Sequence, residues 1–105
     1  MPNKTWKRVE RVVATKMDGI RNPLSGKNSR NTSGDVIHDL FYIEVKHRQR
    51  IPFYSEFKKT RIRAKKEGKI PIFVIHEKYS RNYLAIIDLD DFKKLQKAID
   101  DLILK

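Results

Sequence analysis

Ser33-Gly34-Asp35-Val36-Ile37-His38-Asp39-Leu40-Phe41-Tyr42-Ile43-Glu44-Val45-Lys46-His47-Arg48 reads as a β-hairpin. One strand is expected over about 34–38 and a second over about 41–47, with the turn at Asp39-Leu40. The second strand alternates: Phe41, Ile43 and Val45 fall on one face, Tyr42, Glu44 and Lys46 on the other. Asp39 is explained as a turn residue. Asp35, Glu44 and Lys46 are not explained that way. They put charge into the most strand-like part of a 105-residue chain.

The flanking segments frame this hairpin. Residues 4–18 predict an amphipathic helix, with Trp6, Val9, Val13 and Met17 at helical spacing, Asn3 or Thr5 as its cap and Gly19 just past its end. Residues 20–34 are rich in Asn, Ser, Gly and Pro and read as a loop, with room for a short strand near 20–25. Residues 53–67 predict a second helix, capped by Ser55 or starting a turn earlier and closed by Gly68. Residues 70–76, IPIFVIH, have the unbroken apolar character of a strand buried on both faces, and 82–88 predict another strand. Residues 89–104 predict a last amphipathic helix with Leu89, Phe92, Leu95, Ile99 and Leu102 in register, Asp90 and Asp91 at its N-terminal end, and a role in completing the core. The expected fold class is thus α/β, in a single domain spanning 1–105: a central mixed sheet flanked by helices, in the order α-β-β-α-β-β-α.

Composition narrows the function. Lys and Arg number 24 against 13 acids, a net charge of +11. The excess is uneven: net +6 over residues 1–34, +5 over 35–69 and zero over 70–105. A field of this kind favours a polyanion through counterion release and steering. There is no cysteine, which excludes disulfides and thiolate chemistry. The N-terminal MPNKTWKRVE lacks the apolar stretch of a signal peptide, and no run of about 18 apolar residues is present, so the expectation is a cytoplasmic protein with no membrane span. No Gly-rich phosphate loop is present, so no nucleotide cofactor is expected.

The triplet Glu44-Val45-Lys46 carries little information as letters. Its pattern recurs at Glu56-Phe57-Lys58, Glu67-Gly68-Lys69 and Asp91-Phe92-Lys93. Only the first copy lies on a predicted strand, where positions i and i+2 share a face. A hairpin closing at Asp39-Leu40 brings Asp35 beside Glu44. Two adjacent carboxylates resist ionising together, and a divalent cation removes that cost. Oxygen donors of this kind suit Mg²⁺ or Mn²⁺, with the Val45 carbonyl as a further ligand and waters completing the shell. Lys46, on the same face, would neutralise developing charge or help deprotonate a bound water. The plainer alternative is a cross-strand salt bridge on a solvated face. Glu10 lies on or beside the apolar stripe of the first helix. It either faces a cation or sits at the stripe's edge in solvent, and periodicity slightly favours the edge.

Gly34-Asp35-Val36, followed after nine residues by Glu44-Val45-Lys46 with Phe41 and Ile43 before it, resembles the PD-(D/E)XK, or restriction-endonuclease-like, nuclease superfamily. Within it the chain looks most like the small archaeal Holliday junction resolvases and similar phage- or plasmid-borne nucleases. The resemblance covers about residues 4–76. It implies Mg²⁺-dependent hydrolysis of DNA phosphodiesters, with Asp35 and Glu44 as metal ligands, Lys46 as the catalytic lysine and Glu10 as the acid of the first helix. Gly34 departs from the family's proline.

Further residues suit contact with DNA. The loop 21–31 offers Arg21, Ser25, Lys27 and Arg30; His47, Arg48 and Arg50 continue from the second hairpin strand; Lys58, Arg61 and Lys65 belong to a dense basic run on the second helix. The bland reading of such a run is a solvated face. His38, His47 and His76 stand at no metal-ligand spacing, and Ser25, Ser29 and Ser33 have no triad partners. Two copies would bring two sites to two strands of duplex or branched DNA, so a homodimer is expected. The rival readings are a non-catalytic basic nucleic-acid-binding module, such as a ribosome-associated protein, and a protein–protein adaptor.

Overall fold

The computed structural model describes residues 2–23, 32–47 and 52–104. The elements are α1 (Pro2–Lys16), β1 (Ile20–Arg21), β2 (Val36–Ile37), β3 (Phe41–Lys46), α2 (Phe53–Lys66), β4 (Ile70–His76), β5 (Tyr83–Ile87) and α3 (Leu89–Ile103). They form one five-stranded sheet in the order β1-β2-β3-β4-β5. Only β3 and β4 run parallel; the other neighbours are antiparallel. The expected mixed α/β sheet is what forms. The element order differs from α-β-β-α-β-β-α by the short edge strand β1, which pairs Ile20 with Ile37 and Arg21 with Val36.

The parallel step from β3 to β4 requires a crossover, and α2 supplies it. Alternation on the strands then serves two layers. Ile43, Val45, Ile72 and Val74 join Val36 and the α1 residues Val9, Val13 and Ala14 in the main core, with Met17, Phe41 and Tyr83 packed on its margin. The opposite face carries Tyr42 and Phe73, both fully buried, beneath Thr60 and Ala64 of α2. IPIFVIH is covered on both faces, as its composition requires.

The turn into β1 is set by close approach. A Cβ on Gly19 would stand 2.6 Å from the Ile37 carbonyl oxygen and 2.7 Å from Val36 Cγ1. Gly19→Ala must therefore push β2 off α1. A loss of roughly 1–3 kcal/mol in urea unfolding is expected, and an unchanged midpoint would contradict this packing.

Three local expectations are corrected. Helix α1 begins at Pro2, so Asn3 and Thr5 lie inside it and do not precede it. Ser55 does not cap α2, which takes the earlier of its two expected starts: the capping position is Pro52, and Ser55 Oγ donates back to the Pro52 carbonyl at 3.2 Å. Helix α3 forms where expected, with Asp88 capping it by accepting from the Asp90 amide at 2.9 Å, but it does not complete the core. None of its residues is buried. The apolar interior is already closed by α1 and α2, one on each face of the sheet. Among the described residues no helix is long and apolar enough to cross a membrane.

Candidate active site

The hairpin register decides what Asp35 can reach. Val36 pairs with Ile43, and extending that register by one residue brings Asp35 opposite Glu44. The Asp35 amide donates to the Ile43 carbonyl at 2.8 Å, and Asp35 Oδ2 accepts from the Val45 amide at 2.8 Å. Val45 thus contributes its N–H to this corner, where a carbonyl ligand had been expected. Lys46 Nζ stands 4.0 Å from Glu44 Oε2, and both side chains are largely covered. Under the lysine lies Phe73, its ring centroid 5.6 Å from Nζ.

Glu10 resolves in favour of the interior. It is 2% exposed and its Oε1 accepts from Arg21 Nε at 2.9 Å. It faces a cation, as one of its two sequence readings required, and the cation is Arg21 from β1. That engages the Arg21 Nε group expected to contact DNA.

The three acids sense one another. Burial, then the Asp35 charge, push the Glu10 carboxyl above its ordinary range, against the opposing pull of Arg21. Burial, again followed by the Asp35 charge, lifts Glu44 to about 7, opposed by Lys46 and Arg63, with Glu10 adding a smaller push. A corner that makes two carboxylates reluctant to ionise is one where a cation gains by entering. Asp35 and Glu44 fit a Mg²⁺- or Mn²⁺-type ion, which takes one or two carboxylates and keeps several waters. Among the described residues, no group of three or more His, Cys, Asp or Glu side chains forms a dedicated metal cage.

The approach to Asp35 is held by a network that spacing does not announce. Asn22 Nδ2 donates to the carbonyls of Thr32 and Gly34, each at 2.9 Å, and the Asn22 amide donates to the Asp35 carbonyl at 2.9 Å. Glu67, at the end of α2, accepts from Thr32 Oγ1 at 2.5 Å and from the Ser33 amide at 3.0 Å. Ser33 Oγ and the Tyr42 hydroxyl share a hydrogen bond of 2.6 Å. Gly34 is explained here as well. Its amide donates to Thr32 Oγ1 at 3.1 Å, and a Cβ would meet the Ile43 carbonyl oxygen at 3.0 Å. A proline would forfeit that donor.

The other expected contacts separate. Arg61 pairs with Asp88, the cap of α3, so its charge is committed within the fold. Lys58 and Lys65 are exposed on α2. His47 stacks on His76 at a ring-centroid distance of 5.0 Å, with 3.0 Å between the two Nδ1 atoms. His76 Nε2 donates to the Ser80 carbonyl at 2.9 Å, so in neutral His76 Nδ1 is the acceptor and His47 the donor. Sequence spacing missed this pair because 29 residues separate its members; the parallel β3–β4 register aligns them. Ser25, Lys27, Arg30, Arg48 and Arg50 lie outside the described residues.

Comparison with protein-family models, with curated proteins and with solved structures found no match to this chain.

Proposed function

We propose that the chain is a divalent-cation-dependent endonuclease hydrolysing DNA phosphodiesters, of the restriction-endonuclease-like kind its hairpin resembles. A branched substrate such as a four-way junction suits the resemblance to the resolvases. The observation that carries the reading is the placement of Asp35, Glu44 and Lys46 at one corner, with buried Glu10 close enough to feel Asp35. The raised proton affinities of the Glu10 and Glu44 carboxyls are a cost to a plain structural salt bridge and an advantage to a cation site.

Asp35 and Glu44 would hold the cation, which when bound would supply Lewis acidity and lower the pKa of a coordinated water. The chain's own residues do the rest. The Asp35 carboxylate is oriented by the Val45 amide. Lys46, held over Phe73 and beside Glu44, offers its ammonium to the non-bridging phosphate oxygens as charge builds. The attacking water gives up one proton to solvent as its oxygen bonds to phosphorus, the phosphorus–oxygen bond to one sugar breaks, and the departing oxygen takes up a proton from solvent. The Glu10–Arg21 pair fixes α1 against the strand that precedes this corner.

The test is cleavage of supercoiled plasmid, linear duplex and a synthetic four-way junction with Mg²⁺ and with EDTA. Cleavage that requires Mg²⁺ and falls by about 10²–10³ in Lys46→Ala is expected. Cleavage that persists in EDTA or in Lys46→Ala would overturn the assignment. A second reading, a non-catalytic basic nucleic-acid-binding module, is favoured by one observation: the net charge of +11, all of it carried by residues 1–69. It predicts salt-sensitive binding and no cleavage under any metal condition.

A further inference from the structure

One stripe of α2 mixes aromatic and basic residues. Tyr54, Phe57, Lys58 and Arg61 stand at i, i+3, i+4 and i+7, so they share a helix face. That face and the end of β5 enclose an open groove of about 630 Å³. Phe53, Tyr54, Phe57, Ile86 and Ile87 give it an apolar lining, and Lys58, Arg61 and Asp88 stand among them. Tyr54 is 95% exposed, so its ring is open to a flat partner.

The charges around the groove select what enters it. Asp88 is already satisfied: one carboxylate oxygen accepts from the Asp90 amide and the other from Arg61. Arg61 is thereby held in place, its guanidinium 5.8 Å from the centre of the Phe57 ring. Lys58 is exposed and forms no ion pair among the described residues, and Lys59, Lys65 and Lys66 are exposed on the same helix. An apolar slot beside unpaired cations suits a ligand that is flat and apolar in one part and anionic in the next. A nucleotide of a single strand is such a ligand: its base stacks on aromatic rings and its phosphate meets the lysines. An apolar peptide would leave the cations unanswered. A base inside a duplex does not enter, because both of its faces are already stacked.

The groove also adjoins the candidate site. Phe57 meets Phe73 edge to face at 5.2 Å, and Phe73 lies under Lys46 Nζ at 5.6 Å. Two ring contacts therefore separate the groove wall from the lysine that would face the scissile phosphate. Consecutive nucleotides of one strand span such a gap. Past Arg61 the surface continues into a second depression, which Lys65, Lys69 and Lys94 share with Asp90 and Asp91. Opposite charges offset one another there, and the pull on a phosphate backbone is small. The favoured path for a strand thus leads from the groove toward Lys46.

We propose that this groove binds an unpaired nucleobase of single-stranded DNA, stacked on Tyr54, with Lys58 on the adjoining phosphate. In a branched or frayed substrate the bound base belongs to the strand whose backbone reaches Lys46. That last point rests on the nuclease reading; the binding itself does not, and is measured with EDTA present.

Two measurements on the full chain test it. The first titrates an oligodeoxythymidylate carrying one 2-aminopurine, whose fluorescence falls when it stacks, beside a blunt hairpin duplex. The wild type should quench the single strand. Tyr54→Ala should weaken that binding about tenfold, and Tyr54→Phe, which keeps the ring, should stay within about twofold of the wild type. Duplex affinity should be equal in all three chains. Lys58→Ala should weaken binding and lower its salt slope by about one. Tyr54 and Lys58 are exposed, so urea midpoints should not move. The second measurement photocrosslinks an oligothymidylate containing 5-iododeoxyuridine, and the adduct is expected in the peptide holding Phe53 to Lys58. No quenching, equal losses on single strand and duplex, a Tyr54→Phe loss as large as that of Tyr54→Ala, or crosslinks confined to other peptides would overturn the proposal. So would an apolar fluorophore, anilinonaphthalene sulfonate, that fills the groove and is not displaced by the oligonucleotide. If these results hold and Mg²⁺-dependent cleavage is absent, the groove stands and the nuclease reading falls. Cleavage without them removes the groove alone.

Discussion

Glu44→Gln is expected to abolish the proposed cleavage and at the same time to raise the stability of the folded chain at pH 8. The two effects share one cause. Burial and the Asp35 charge hold the Glu44 carboxyl at about 7, against an ordinary 4.5. Between those values the folded chain binds more protons than the unfolded chain, so stability falls as pH rises through that window. Above about pH 7 the full cost is present, on the order of 3 kcal/mol. The amide of glutamine carries no charge, fits the same volume and keeps hydrogen-bonding capacity toward Lys46 and Arg63. Urea midpoints at pH 5 and pH 8 should show the wild type losing stability at the higher pH and Glu44→Gln losing much less. Millimolar Mg²⁺ should stabilise the wild type at pH 8 and leave Glu44→Gln nearly unmoved, because a cation cancels the same repulsion. A Glu44→Gln chain less stable than the wild type at pH 8 would mean that the carboxylate is a structural anchor.

Phe73→Ala should cost about 3–5 kcal/mol, the range for removing a buried aromatic ring. Phe73 has no exposed surface and meets Phe57 edge to face at 5.2 Å, tying α2 to β4. Its ring also lies beneath Lys46 Nζ. The variant thus removes the crossover's anchor and the floor of the candidate site together. Phe73→Leu separates the two effects. It refills most of the volume and should lose only about 1–2 kcal/mol, while Lys46 loses the aromatic face below it. Near-wild-type stability for Phe73→Ala would show that α2 does not depend on this contact.

These two residues mark different degrees of legibility. Glu44 was singled out by spacing, because strand alternation and a two-residue turn suffice to set Asp35 opposite it. Phe73 was legible as buried, since IPIFVIH is apolar throughout, but its position under Lys46 depends on the parallel pairing of Glu44 with Phe73. Glu10 shows where periodicity stops. A residue at a stripe's edge is solvated or buried according to what lies opposite, and Arg21 arrives there only because residues expected to be loop pair as β1. Glu67 and His76 were passed over for the same reason: Glu67 is joined to Ser33 across 34 residues, and His76 to His47 across 29.

Short-range periodicity alone determined the helices, the hairpin, the doubly covered strand and the pairing of Asp35 with Glu44. Each rests on backbone geometry repeating over two to four residues, which the order of side chains reports directly. Only the tertiary structure decided that Glu10 is interior, that Glu67 and Asn22 hold the approach to Asp35, and that α3 stays outside a core already closed by α1 and α2. Those outcomes depend on which surfaces meet across tens of residues, and an amphipathic stripe states that it must be covered without stating by what.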